Sequence, residues 1–170
     1  MHLMLKSFLL LIAAVAFVPP VLANELTLGA PVQEVNAKLL DSPLKFSLSA
    51  NKGKVIIINF WATWCAPCLK EMPDIQAFYQ THHGSGLEVL AINMDDLKDL
   101  QKVRLIAKNH TFPIAHKSES NFKSLGRIWR LPSTFVVDKN GLLRKDGGSG
   151  DPEISFELLD SLVTPLLNAP

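Results

Sequence analysis

The chain contains two cysteines, and they stand two residues apart in Trp64-Cys65-Ala66-Pro67-Cys68. At the start of a helix this spacing brings two sulfurs within bonding range. A disulfide across so small a loop constrains the unfolded chain little, so its value is chemical rather than structural. The free amides and the dipole of a helix N-terminus favour thiolate over thiol, which makes Cys65 the expected nucleophile. Cys65 would attack a partner disulfide; Cys68, one turn on and more buried, would then attack Cys65 and release the reduced partner. Run backwards, the same steps oxidise a partner. Pro67 restricts the first helical turn, Ala66 leaves the approach to Cys65 open, and Trp64 offers a flat apolar surface beside the dithiol.

Half of a zinc site is the competing reading of a Cys-x-x-Cys pair. There is no second cysteine pair, and His82, His83, His110 and His116 lack tight ligand spacing, so no metal is expected. Haem attachment needs His after Cys68, where Leu69 stands. No cofactor is expected.

The dithiol needs a strand before it and a helix after it. Val55 to Phe60 is apolar and largely β-branched, the pattern of a strand covered on both faces. A helix follows from about the cysteines to Tyr79, with Pro73 inside it as a bend. Leu44 to Leu48 alternates like a half-buried strand, after a weakly patterned lead over residues 24–43. Leu87 to Asn93 reads as a second buried strand. Asp95 or Asp96 is placed to cap a helix whose apolar face is Leu97, Leu100, Val103 and Ile106. Phe112 to Ala115 reads as a short strand, Phe122 to Arg127 as a short helix, and Thr134 to Val137 with Leu142 to Lys145 as a hairpin about Asp138-Lys139-Asn140-Gly141. Gly147 to Gly150 reads as a flexible connector. Asp151 with Pro152 suits the start of a last helix, with Ile154, Leu158, Leu159 and Leu162 inward and Pro165 near its end. Helices between buried strands predict an α/β sandwich, and the hairpin makes its sheet mixed.

The 170 residues suit one domain. Residues 1–23 read as an export signal: Lys6 is its positive charge, Phe8 to Val18 its apolar core, Pro19-Pro20 the break, and Val21-Leu22-Ala23 the cleavage site. The expected domain is therefore 24–170, periplasmic or otherwise exported. An uncleaved segment would make it membrane-anchored. Of 17 Lys and Arg only Lys6 precedes that cut, and all 16 Asp and Glu follow it, leaving the mature chain formally neutral at 16 against 16. With no basic cluster, nucleic acid is not an expected partner.

Asn59-Phe60-Trp61-Ala62-Thr63-Trp64-Cys65-Ala66-Pro67-Cys68, with Glu71-Met72-Pro73 behind it, resembles the active-site segment of exported thioredoxin-like proteins of the TlpA/ResA type. Glu88 to Asn93, the following helix and Thr111-Phe112-Pro113 are similar to the helix and strand that this group inserts into the thioredoxin fold. Leu131-Pro132-Ser133-Thr134-Phe135-Val136-Val137-Asp138, then Asn140-Gly141, is similar to its cis-proline loop and hairpin. The likeness runs from about Leu44 to Lys145. It implies a thioredoxin fold: a central mixed sheet flanked by helices, with an N-terminal strand extension and an inserted helix and strand.

The resemblance further implies that Pro132 is a cis-proline facing the dithiol, with Leu131 presenting backbone groups to an extended partner segment. It gives Glu71, three residues after Cys68, a part in proton exchange with that thiol; a solvated helical charge is the plainer alternative. Asn59 stands where ordinary thioredoxins have a buried aspartate, and an amide cannot take that proton. The implied activity is thiol–disulfide exchange with cysteines or disulfides of partner proteins. Reduction is the favoured direction, in the assembly of haem or copper proteins, by a monomer fed by a membrane or soluble thiol donor. A thiol oxidase or isomerase is the alternative on the same chemistry. A peroxidase would need a Pro-x-x-x-Thr-x-x-Cys pattern, absent around both cysteines, and a copper chaperone of this fold a wider cysteine spacing. Trp129 and Arg130 stand before the Pro132 loop, either touching a partner or simply packed and solvated. His82-His83 and Asp95-Asp96 read more simply as loop and cap than as metal ligands.

Overall fold

A computed structural model describes residues 26–169; the expected signal segment, 1–23, lies outside them. Seven strands form one sheet: β1 (Asn36–Leu39), β2 (Lys45–Ser47), β3 (Val55–Trp61), β4 (Leu87–Asn93), β5 (Ile114–Asn121), β6 (Ser133–Val137) and β7 (Leu143–Lys145). Their spatial order is β2-β1-β5-β4-β3-β6-β7. The centre is parallel, β5 on β4 and β4 on β3, and β6 pairs antiparallel to β3. Among the described residues three α-helices flank the sheet: α1 (Ala66–His82), α2 (Leu100–Ala107) and α3 (Phe156–Asn168). This is the mixed sandwich the sequence predicts.

β3 is buried at every position, because its alternate residues serve two cores. Val55, Ile57 and Trp61 pack with Met72, Ile75 and Phe78 of α1 and Leu159 and Val163 of α3. Ile56, Ile58 and Phe60 face the other side, with Phe135, Leu125 and Val35. The side chain at position 59 shares the face of Ile57 and Trp61, so the period of two turns Asn59 towards α1.

Several elements differ from the sequence reading. The lead holds a strand, β1, which pairs with both β2 and β5. β5 runs on from Ile114 through polar residues to Asn121, because β1 pairs with that extension. The expected helix at 122–127 is one 3-10 turn, Lys123–Leu125. Neither Asp95 nor Asp96 caps a helix through its side chain; Asp96 precedes a 3-10 turn and Asp95 is buried elsewhere. Leu97 is exposed, and α2 buries Val103. α3 starts at Phe156, where the Ser155 hydroxyl accepts from Leu158 N–H, and not at Asp151. Its buried face is Leu159, Val163 and Leu167, which leaves Leu158 partly exposed, and it continues through Pro165 to Asn168.

Gly147 is more than a connector. A Cβ there would stand 2.5 Å from Ser133 Oγ and 2.8 Å from both the Phe135 ring and Thr134 N, where β6 begins. Gly147→Ala must push β6 aside, an overpacking cost of about 1–3 kcal/mol. Urea unfolding should show this as a lower midpoint at unchanged m-value; an unmoved midpoint would contradict it.

Candidate active site

β3 delivers the dithiol. Its last residue, Trp61, is followed by Ala62-Thr63-Trp64 and then by Cys65, the N-cap of α1. Cys65 and Cys68 form a disulfide with sulfurs 2.06 Å apart. The Cys68 amide donates to Cys65 Sγ at 3.3 Å, as an N-cap side chain requires. An anion on that sulfur would gain this bond and the positive end of α1. Cys65 is 5% exposed and Cys68 fully buried, so solvent reaches only the first of the pair. Pro67 occupies the first turn, where its missing N–H costs nothing. Trp64 is 71% exposed.

The Leu131–Pro132 bond is cis, as the resemblance implies. β6 starts at Ser133, paired with Phe60, so Pro132 lies at the end of the sheet where β3 gives way to the Cys-x-x-Cys segment. Leu131 is half-buried and touches both cores. Trp129 is exposed and lies under the Arg130 guanidinium, 5.1 Å from ring centroid to Cζ. Arg130 is not simply solvated: it donates to the carbonyls of Gly147 and Gly150, tying the loop before Pro132 to the strap before α3.

Glu71 is buried, not a solvated helical charge. Its Oε1 accepts from Asn59 Nδ2 at 2.7 Å and its Oε2 from the Ile154 amide at 3.1 Å. The second Nδ2 proton of Asn59 goes to Thr134 Oγ1 at 2.9 Å. Burial pushes the Glu71 carboxyl up to about 7; the bonds from Asn59 and Ile154 and the charge of Lys145 oppose the rise, and Glu153 adds to it. Glu71 lines a cleft of about 270 Å³ shared with Lys70, Asp74, Asp151 and Glu153. An acid raised to about 7, one turn after Cys68 and lining this cleft, can exchange a proton near neutral pH.

Asp95 was not foreseen at this site. Its carboxylate is buried and accepts from Thr63 N–H at 2.8 Å, Thr63 O–H at 2.6 Å and Asn93 Nδ2 at 2.7 Å. His116, also buried, meets the Asp95 carbonyl through Nε2 at 3.0 Å. The β4 end thus grips the segment two residues before Cys65. Asn59 carried a signal in the sequence, a polar residue in an apolar strand on the helix-facing parity; Asp95 carried none that separates it from a cap. Among the described residues no group of three or more His, Cys, Asp or Glu is arranged to hold a metal ion.

A disulfide at the head of the first long helix, with a cis-proline just before the strand that pairs with β3, belongs to a thioredoxin-like fold. The chain belongs to the AhpC/TSA family, whose model matches residues 28–146. It is 35% identical over 94 residues to the thiol-disulfide oxidoreductase ResA of Oceanobacillus iheyensis, an alignment covering 55% of this chain and 49% of that protein. The chain thus spans about half the length of the curated relatives it matches. StoA of Bacillus subtilis superposes with a TM-score of 0.60 at 25% identity, covering 77% of this chain and 96% of StoA. A thiol:disulfide interchange protein of the thioredoxin family from Chlorobium tepidum gives 0.67 at 24% identity, covering 82% and 97%, a likeness of fold.

Proposed function

We propose that this chain is an exported thiol–disulfide oxidoreductase that reduces disulfides of specific partner proteins. The observation that carries this reading is the cysteine pair at the head of α1, the first residue slightly exposed, the second fully buried, and the Cys68 amide donating to the first sulfur. In the reduced protein the Cys65 thiolate attacks one sulfur of a partner disulfide; a mixed disulfide forms and the partner's other sulfur leaves as thiolate. Cys68 then gives its proton to Glu71, and its sulfur attacks Cys65 Sγ. The Cys65–Cys68 bond forms, the second partner sulfur leaves and is protonated, and two electrons have moved to the partner. Pro132 and Leu131 shape the groove in which an extended partner segment lies, and Trp64 supplies its apolar wall.

The similarity to ResA and StoA supports partner-specific exchange, and haem- or copper-protein maturation is the service we assign to it. A membrane or soluble thiol donor would return electrons to the pair, and the protein would act as a monomer. A peroxidase reading lacks its sequence pattern at both cysteines.

Cys68→Ala tests the mechanism. The variant should accumulate mixed disulfides on Cys65 in its native compartment, and identifying the trapped proteins names the partners. Trapping that survives Cys65→Ala instead would reverse the assigned roles. Direction follows from the reduction potential against a glutathione buffer: below about −250 mV marks an electron donor, and near about −120 mV a donor of disulfides.

A further inference from the structure

The bonds around Glu71 are complete for only one of its protonation states. Ile154 N–H is a buried donor, and Glu71 Oε2 accepts from it. A buried donor holds its acceptor because losing it costs a full desolvation penalty. The proton on a neutral Glu71 therefore goes to Oε1. That oxygen faces Asn59 Nδ2 at 2.7 Å, itself a donor. Protonated Oε1 against an amide N–H sets two donors head to head.

The Asn59 carboxamide can relieve this without moving its neighbours, because its oxygen and nitrogen are nearly isosteric. Turned by half a rotation, Oδ1 takes the place of Nδ2 and accepts from Glu71 Oε1–H. The other neighbour of Nδ2, the Thr134 hydroxyl, accepts in the orientation seen and can donate in the turned one. Asn59 Oδ1, although buried, has no hydrogen-bond partner among the described residues in the orientation seen. Turning would leave Nδ2 there instead, so each orientation leaves one amide atom without a protein partner. Neither orientation satisfies the whole amide, and the Glu71 proton supplies the bond that distinguishes them.

We propose that Asn59 is a positioning residue whose side-chain amide reverses each time Glu71 gains or loses a proton, donating to the carboxylate and accepting from the acid. This rests on the proposed role of Glu71 for its purpose, but the reversal is a property of the oxidised protein at rest. The charges facing Glu71 are Glu153 on the strap before α3 and Lys145 on β7, with Lys70 and Asp74 of α1 and Asp151 along the same cleft. None of them sits between Asn59 and Oε1 in the bond network, so they move the midpoint without choosing the amide orientation. Ordinary thioredoxins, with a carboxyl here, have no such amide; Asn59 would let protonation at Glu71 occur without sacrificing a buried hydrogen bond.

Isotope-labelled, oxidised full-length protein tests this by NMR between pH 5 and 9. The Asn59 Nδ2 protons should show through-space contacts to Thr134 at high pH and lose them at low pH, with the midpoint at which the Glu71 carboxyl carbon titrates. Glu71→Gln gives a second arm. With Ile154 N–H holding the oxygen of the substituted side chain, its amide nitrogen faces Asn59 and should lock the Asn59 amide in the turned orientation at every pH. Contacts to Thr134 that persist across the titration, or in Glu71→Gln, overturn the proposal. Exchange kinetics of the same variant test Glu71 as proton carrier, so failure of that role and failure of the reversal give different results.

Discussion

Asp95→Ala is expected to remove about 3–5 kcal/mol of stability, whereas Asp95→Asn removes about 1 kcal/mol or less. The alanine leaves Thr63 N–H, Thr63 O–H and the Asn93 amide without their acceptor, in a place that is largely closed to water. Each buried group so stranded costs about 1–3 kcal/mol, reduced for Thr63 because it is half-buried. Asparagine can satisfy every one of them. With its oxygen in the place of Oδ2 it accepts from Thr63 N–H and Asn93, and its nitrogen donates to Thr63 Oγ1, which can accept. For a domain of this size the alanine should lower Tm by about 10–20 °C. The same variant frees Thr63-Trp64, so Cys65 should react with a thiol probe at a changed rate in the reduced protein, while the asparagine variant stays close to wild type. Equal losses for the two variants would show that Asp95 acts through its charge and not through these three bonds.

The local parts of this protein were readable in its residues. Val55 to Trp61 could only be a strand covered on both sides, and Cys-Ala-Pro-Cys after it could only open a helix. Pattern fails where a residue answers to a distant neighbour. Asp151-Pro152 carries every mark of a helix start, yet the Ile154 amide is taken by Glu71, 83 residues earlier, and the helix waits for Ser155. Asp95 looks like a cap, but its partner Thr63 lies 32 residues back. β1 is missed because Asn36-Ala37-Lys38-Leu39 buries a single residue fully, Ala37, and owes its existence to pairing with β5. At the site, the spacing of Cys65, Cys68 and Glu71 was visible. That Asn59, itself bonded to Thr134, and Ile154 converge on that carboxyl was not, since separate parts of the chain bring them there.

That convergence makes Glu71→Gln the most informative change at the site. In the oxidised wild type the folded carboxyl titrates at about 7, against an ordinary value of 4.5, with burial as the main cause. A raised acid favours folding when protonated. Its contribution is fully present below pH 4.5, is lost as pH rises from 4.5 to about 7, and is gone above that. The span corresponds to about 3 kcal/mol. Glu71→Gln should flatten this slope and unfold later than wild type above pH 7, by up to that amount. In the reduced protein the effect is opposite in value to function. Without Glu71 to accept its proton, Cys68 must ionise unaided, so release of a mixed disulfide at pH 7 should slow by about 10²-fold and recover as pH rises towards the thiol's own titration. Stopped-flow release of a model peptide from Cys65, followed from pH 5 to 10, reads this directly. An unchanged pH profile would falsify the proton-carrying role, even if the stability slope disappears as expected. A flat rate loss at every pH would point to displaced cysteines, and Ile154 would be the place to look, since its amide is the second tie on the same carboxyl.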